Sequence, residues 1–388
     1  MRQLIEENAA GKKMDSSEIL NAINTFSESK TRDTHDHWFM VEMKNINNEN
    51  TDLLNANMIR QYLSFVAPVP YSNKFIYRNK IHDHAKELNF AIDEYSIKLN
   101  GEDIYKEYKT QFRTKDNVDE IFEVRFKDFY DDQDTLIAWL WFGVSKFVGA
   151  ITSDCQMRGL RLRTKNIQIG DSDALQRFFK ESRGNHYFVG EVHSVSNSLT
   201  PNARRDYFKE NPICKVFEHQ LRSYCDETLY KIYHGGSDIS SAVKKVTRAN
   251  TLESDYKEKI QNKLFINKKQ KEKALEDLNN AKDAAEKATS KLSKIKERQE
   301  GKEEYEILKK IAERQIKNLH QTNTSKNTVK DTELTTGQKG KAEFRTDSLT
   351  SLSRKERKMI SKVFDIIAES LDKESAEIVI EKIIDALK

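Results

Sequence analysis

The sequence predicts an α+β protein: a mixed-sheet domain with a βαβ crossover, then a long coiled-coil-like helical arm, then a small helical pair at the carboxy terminus. Three observations predict it. Before residue 236, short runs alternate apolar with polar residues, the period of half-buried strands. Most of the 19 Phe, 14 Tyr and 3 Trp also lie there, which concentrates the core-forming content. From Ser240 to His320 the alternation gives way to Leu278, Ala281, Ala285, Ala288, Leu292 and Ile295, spaced by threes and fours in a Lys- and Glu-rich context.

Taken in order, residues 1–45 read as a remnant of a preceding domain. They carry one short apolar stripe, Ile19, Leu20, Ile23 and Phe26, and a strand at Trp38–Met43. The mixed-sheet domain spans 46–236. Leu54, Met58, Tyr62, Leu63 and Phe65 have helical spacing, and Ala67-Pro-Val-Pro-Tyr71 stops that helix. Tyr95, Ile97 and Leu99 lead into Asn100-Gly101, a tight-turn pair, so a hairpin is expected. Phe122, Val124 and Phe126 form one strand, Asp131 to Asp134 a turn, and Leu136 to Val144 a strand buried on both faces. Strand material at Leu160, Leu162, Ile167 and Ile169, a helix around Asp173–Ser182 and a strand at Tyr187–Val195 make the crossover, right-handed if its strands are parallel. A long helix carrying Ile213, Phe217, Leu221 and Ile232 closes the domain at Gly235-Gly236, read as a helix stop.

The arm, 237–320, breaks near Gly301, after which Tyr305, Leu308, Ala312, Ile316 and Leu319 restart the stripe as a returning limb. Composition makes 321–349 a disordered linker. In 350–388, Ser353 and Glu356 form a capping box, and Asp372 caps a second isoleucine-rich helix. So short a pair is expected to self-associate or bind a partner.

A net charge of +4 is too balanced to indicate nucleic acid by itself. Cys155, Cys214 and Cys225 are odd in number and lack metal spacing, so free thiols in a reducing cytoplasm are expected. The first thirteen residues include acidic ones and no apolar core, unlike a secretory signal, and Leu136–Val144 is far short of the ~20 residues of a membrane span. His35/His37 and His82/His84 favour no metal, the second pair diverging on a helix.

The stretch that carries chemistry is Tyr187 to Asn211. Its strand ends at Ser196-Asn-Ser198, and Asn202 is placed to cap a helix whose first turn holds Arg204, Arg205 and Asp206. Guanidinium groups are always charged, and their planar forks match phosphate oxygens. Arg161 and Arg163 share one strand face and can line a basic surface or pair with acids such as Asp171 and Glu191. Lysines from Lys244 to Lys273 form a basic run that can track nucleic-acid phosphates or be the wet face of the arm.

Gly159-Leu-Arg-Leu-Arg163, Asn166 to Asp171, Tyr187 to His193 and Pro201-Asn-Ala-Arg-Arg-Asp206 together resemble the middle, or transducer, segment of heat-shock-protein-90-type (GHKL) ATPases. The resemblance covers roughly Trp38 to Tyr233. It implies that Arg205 reaches the terminal phosphate of ATP bound in a preceding domain. By it, Asn202 and Arg205 are catalytic, while Arg204 and Arg205 are cofactor-binding. The motifs for water activation, magnesium and the glycine-rich lid of that family are absent, as is a Gly-x-x-x-x-Gly-Lys-Ser/Thr loop. The resemblance therefore implies the distal part of a split or truncated ATPase, with ATP and magnesium only with the missing domain and a protein client or complex partner; homo-oligomers through 350–388 are expected from the apolar faces of its two short helices. The reading from another class is a non-enzymatic scaffold, or a nucleic-acid binder using 244–273.

Overall fold

The structure, a computed structural model, describes residues 17–18, 40–42, 52–115, 117–297, 301–327 and 344–387. The chain divides into two units, Met1–Leu54 and Asn55–Lys388. In the first, residues 17–18 are helical and 40–42 are not strand; His35, His37 and the rest of the expected Trp38–Met43 strand lie outside the described residues.

In the second unit, α1 (Ala56–Val66) begins at Asn55, whose side chain accepts from the Asn57 and Met58 amides. The proline-bearing segment then runs extended to Tyr71, and two turns, closed by the Phe75 amide on the Ser72 carbonyl and the Arg78 amide on the Phe75 carbonyl, lead into α2 (Arg78–Glu87). The Asn100-Gly101 turn joins β1 (Lys98–Leu99) to β2 (Glu102–Asp103), both turn residues at positive φ as that hairpin type requires. A second small hairpin pairs β3 (Gln111–Arg113) with β4 (Val118–Glu120).

The main sheet has five strands: β5 (Glu123–Tyr130), β6 (Leu136–Val144), β7 (Gly159–Thr164), β8 (Ile167–Ile169) and β9 (Val189–Ser194), in spatial order β5-β6-β9-β7-β8. Only β7 and β9 are parallel. The mixed α+β architecture is as expected, and β6 is buried on both faces. Alternation sends Leu140, Phe142, Leu160, Leu162 and Val192 into one core and Trp139, Trp141 and Val189 into the other. α1, α2 and the β3–β4 hairpin cover the second face, while Leu99 of β1 packs with Ala67, Val69 and Ile104 in a separate small cluster.

The crossover from β7 to β9 contains no α-helix. Residues 173–182, expected to be helical, give a 3-10 turn at Gln176–Phe178, and a second follows at Ser182–Tyr187. Phe178 and Phe179 both enter the core, and Phe179 leaves the turn in extended conformation.

The helix expected at Asn202 is also absent. Residues 202–206 form an irregular turn closed by the Pro201–Phe208 bridge, and the helix starts at Pro212, capped by Asn211 accepting from the Cys214 amide. Pro at the first helical position makes this the better start. From there α3 (Pro212–Tyr224), a π-turn (Cys225–Leu229) and α4 (Tyr230–Gln261) are continuous. Gly235 and Gly236 therefore do not stop the helix. They let it approach its neighbours: a Cβ on Gly235 would meet Leu308 at 2.6 Å, and one on Gly236 would meet Phe147 at 3.0 Å.

The arm is three helices, not one hairpin. α4 turns at 262–267 into α5 (Lys268–Glu297), and α6 (Glu303–Asn327) returns beside α4, with Gln315 donating to Ser240 at 2.9 Å. The stretch expected to be a disordered linker starts inside α6. Its last part, 344–349, docks on the arm: the Arg345 amide donates to the Phe265 carbonyl and Leu349 is buried. Residues 328–343 lie outside the description. The carboxy-terminal pair, α7 (Arg354–Ser370, with the expected capping box) and α8 (Lys373–Leu387), packs Phe364, Ile380 and Ile384 around Ile266 at the arm's tip. Among the described residues no helix is long and apolar enough to cross a membrane.

Candidate functional site

Arg205 sits where the 202–206 turn meets the end of β8. Its φ is +56°, in the left-handed region, and its carbonyl accepts from the Gly170 amide at 2.8 Å. Asn202 shapes the turn: its carbonyl accepts from the Arg205 amide, and its side-chain amide donates to Asp206 at 2.6 Å. Asn202 is thus a support for Arg205.

Arg205 lines a cleft of about 530 Å³ outside the carboxyl ends of the parallel strands β7 and β9. Ligands of open sheets containing parallel strands collect at such ends. Thr164 and Ser194, the paired terminal residues, share a hydrogen bond of 2.8 Å between their hydroxyls at the cleft floor. Lys165 lines the cleft from the β7–β8 turn, and Ser196, Asn197 and Thr200 add polar atoms; Asp93 is the one acid. Phe90, Ile167 and Ile169 supply apolar wall. Arg204 does not line it. Of the two predicted arginines, the structure brings one to the cleft.

Beneath the cleft lies a buried ionic network. Glu191 on β9 is fully buried and accepts from Arg163 Nε at 2.5 Å, Lys106 Nζ at 3.1 Å and the Tyr108 hydroxyl at 3.0 Å, and also from the Tyr71 hydroxyl. Burial pushes its carboxyl upward, but the Arg163 and Lys106 charges overcome this and hold its pKa well below the usual range. Burial, with Arg163 nearby, lowers Lys106 to about 7, and burial lowers His193 to about 4. The network reaches the cleft through Asn166, beside Lys165: its side chain accepts from Lys106 Nζ at 2.5 Å and donates to the Asp93 carbonyl at 2.6 Å. Arg163 in turn donates to the Asn166 carbonyl at 2.9 Å. The turn carrying Lys165 is therefore fixed from below by side chains that cannot easily move.

Arg163 makes the Glu191 pair that the sequence allowed, whereas Arg161 pairs with neither Glu191 nor Asp171. It donates to Gln168 at 2.6 Å and lies 4.6 Å over the Phe65 ring, while Asp171 caps its own turn by accepting from the Asp173 amide. His82 pairs with Glu94 and His84 with Asp128, so the two diverge, and among the described residues no cluster of His, Cys, Asp and Glu could hold a metal. The three cysteines are free thiols; burial raises the pKa of each, farthest for Cys225. The basic run from Lys244 to Lys273 occupies α4 and the start of α5, where Lys257 pairs with Glu253.

Sequence reading missed Lys165, Thr164, Ser194 and Lys106. One signal was present: Lys165-Asn166 between two strands has the length of a two-residue hairpin turn, but with Lys where Asn or Gly is usual. Compared with known protein families, characterised proteins and solved structures, the chain has no match.

Proposed function

We propose that this chain is the conformation-transducing part of a heat-shock-protein-90-like ATPase, with Arg205 contacting the terminal phosphate of ATP held by a separate nucleotide-binding domain. The observation that carries the reading is Arg205 on a tied-down turn, without an acidic partner among the described residues, at a hydroxyl- and lysine-lined cleft. A directed guanidinium in such a place stabilises charge on a transferring phosphoryl group.

The wall of the cleft is also coupled to the arm. The Lys209 amide donates to the Thr200 carbonyl, and Asn211, the cap of α3, donates to the Ser198 carbonyl at 2.8 Å. A displacement of this loop pulls directly on the helical run from Pro212 to Gln261, about 75 Å long at 1.5 Å per residue. A protein client is the partner on which such movement acts, and the exposed apolar residues of α7 and α8 serve self-association.

The test joins the chain to the nucleotide-binding domain encoded immediately upstream of it. Arg205→Ala lowers ATP turnover about a hundredfold, the usual cost of one transition-state donor, and Arg204→Ala changes it by less than about threefold. Equal turnover in the Arg205→Ala and unaltered enzymes, or the lack of any such upstream frame, overturns the reading.

A further inference from the structure

We propose that Lys165 is a second phosphate ligand, forming with Arg205 a two-cation clamp for an oligophosphate chain. The inference rests on the reading of Arg205 given above and adds a residue that the sequence did not suggest.

Three observations carry it. Lys165 and Arg205 line the same cleft, and neither side chain has an ion-pair partner among the described residues. Most exposed cations can relax toward a carboxylate; the nearest lining acid here, Asp93, is bonded to neither of them. Both residues also hold left-handed backbone conformations, φ +48° for Lys165 and +56° for Arg205. At Lys165 the two-residue β7–β8 turn requires it; at Arg205 no hairpin does, and departures of that kind concentrate at ligand sites. Finally, both are braced: Lys165 through Asn166 and the buried network, Arg205 through the Gly170 amide and the Asn202–Asp206 bond.

The spacing selects the ligand. Lys165 precedes β8 and Gly170, which carries Arg205, follows it five residues on, so the two anchor points stand at most about 16 Å apart at ~3.3 Å per residue. Two long side chains reaching inward over that distance span a chain of phosphates better than a single one. Thr164 and Ser194 offer hydroxyl donors between them. The chain of phosphates can be free, or can belong to the nucleotide presented by the other domain.

The experiment has two arms, using Lys165→Gly, Arg205→Ala and Arg204→Ala. Glycine suits the left-handed turn, so Lys165→Gly removes the ammonium while raising the melting temperature. In the first arm, calorimetry follows sodium tripolyphosphate binding to the full chain at low salt. In the second, the joined enzyme turns over Mg-ATP. Binding weakened at least about tenfold by Lys165→Gly and by Arg205→Ala, but less than about twofold by Arg204→Ala, assigns a free oligophosphate. Turnover lowered by Lys165→Gly without free binding assigns the nucleotide's own phosphates. If Lys165→Gly alters neither measurement, the clamp is wrong, even where Arg205→Ala still lowers turnover. If tripolyphosphate binding depends on both residues while Arg205→Ala leaves turnover unchanged, the clamp stands and the transducer reading falls.

Discussion

Arg163 on β7 and Glu191 on β9 meet diagonally across parallel strands, Nε to Oε1 at 2.5 Å, with both side chains fully buried. Arg163 also donates to the Phe65 carbonyl at the end of α1, so one guanidinium fastens the helix layer to the sheet. Buried pairs of this kind gain little over well-packed apolar residues, but breaking one strands a charge.

Glu191→Gln is therefore expected to cost about 3–5 kcal/mol, since it leaves Arg163 and Lys106 buried without their counter-charge. Urea denaturation measures it. The triple change of Glu191, Arg163 and Lys106 to Met removes all three charges at once and is expected to cost less than the single one; a larger loss would mean that the network stabilises the fold outright.

Acid destabilises the protein through the same cluster. The native His193 imidazole titrates near 4 and the unfolded one near 6.5, so between those values the unfolded chain binds a proton that the native state refuses. Stability falls as the pH drops through that window, by roughly 3 kcal/mol in all at about 1.4 kcal/mol per pH unit. Glu191, with its depressed native pKa, extends the loss to lower pH. His193→Phe keeps the stacking with Trp139 and removes the first part of the slope. An unchanged slope in a pH series of denaturation midpoints refutes this assignment.

Gly190 lies where β9 crosses β6, and a Cβ there would meet the Trp141 carbonyl at 2.2 Å. Since backbone cannot yield as a side-chain tip does, Gly190→Ala is expected to destabilise by about 1–3 kcal/mol or more. Gly143→Ala, whose nearest contacts are the Ile121 side chain, is the milder comparison. Thermal melts of the two rank them, and the reverse order would contradict the strand register.

Met359, Val363 and Ile366 form an exposed stripe on α7, Met359 and Ile366 being 67% and 62% accessible. An exposed apolar face of this kind is the expected form of an association surface. Light scattering of the full chain is expected to give a mass above that of one chain, and Ile366→Asp to return it to one. Equal masses for the two forms would remove the self-association proposal.

The chain alone is expected not to hydrolyse ATP. Its cleft offers cations and hydroxyls, and the described residues include no glycine-rich loop opening a helix toward it. Steady phosphate release by the purified chain, retained after further purification, would show a complete site.

Much of the fold was legible where the signal is local. The Ser353 cap, the Asn100-Gly101 turn, the alternation of β5 and the unbroken apolar run of β6 each depend on groups a few residues apart. Arg205 was singled out by its motif, but its setting was not legible. The expected helix start put it on a regular first turn, whereas the Pro201–Phe208 bridge and the Gly170 contact hold it in a left-handed bend.

By itself the sequence determined the α+β class, the strands of the main sheet, the helical arm and the capped terminal pair, because periodicity and turn chemistry act within one or two turns of chain. Only the tertiary structure decided that Gly235-Gly236 continues a helix, that 173–182 is not one, and that Lys165 stands at Arg205's cleft. These outcomes depend on contacts between distant segments: Leu308 and Phe147 against the glycines, two adjacent phenylalanines claimed by the core, and Tyr71 bonded to Glu191 across 120 positions of sequence. Packing energy summed over such contacts exceeds the fraction of a kilocalorie by which local propensity prefers one conformation to another.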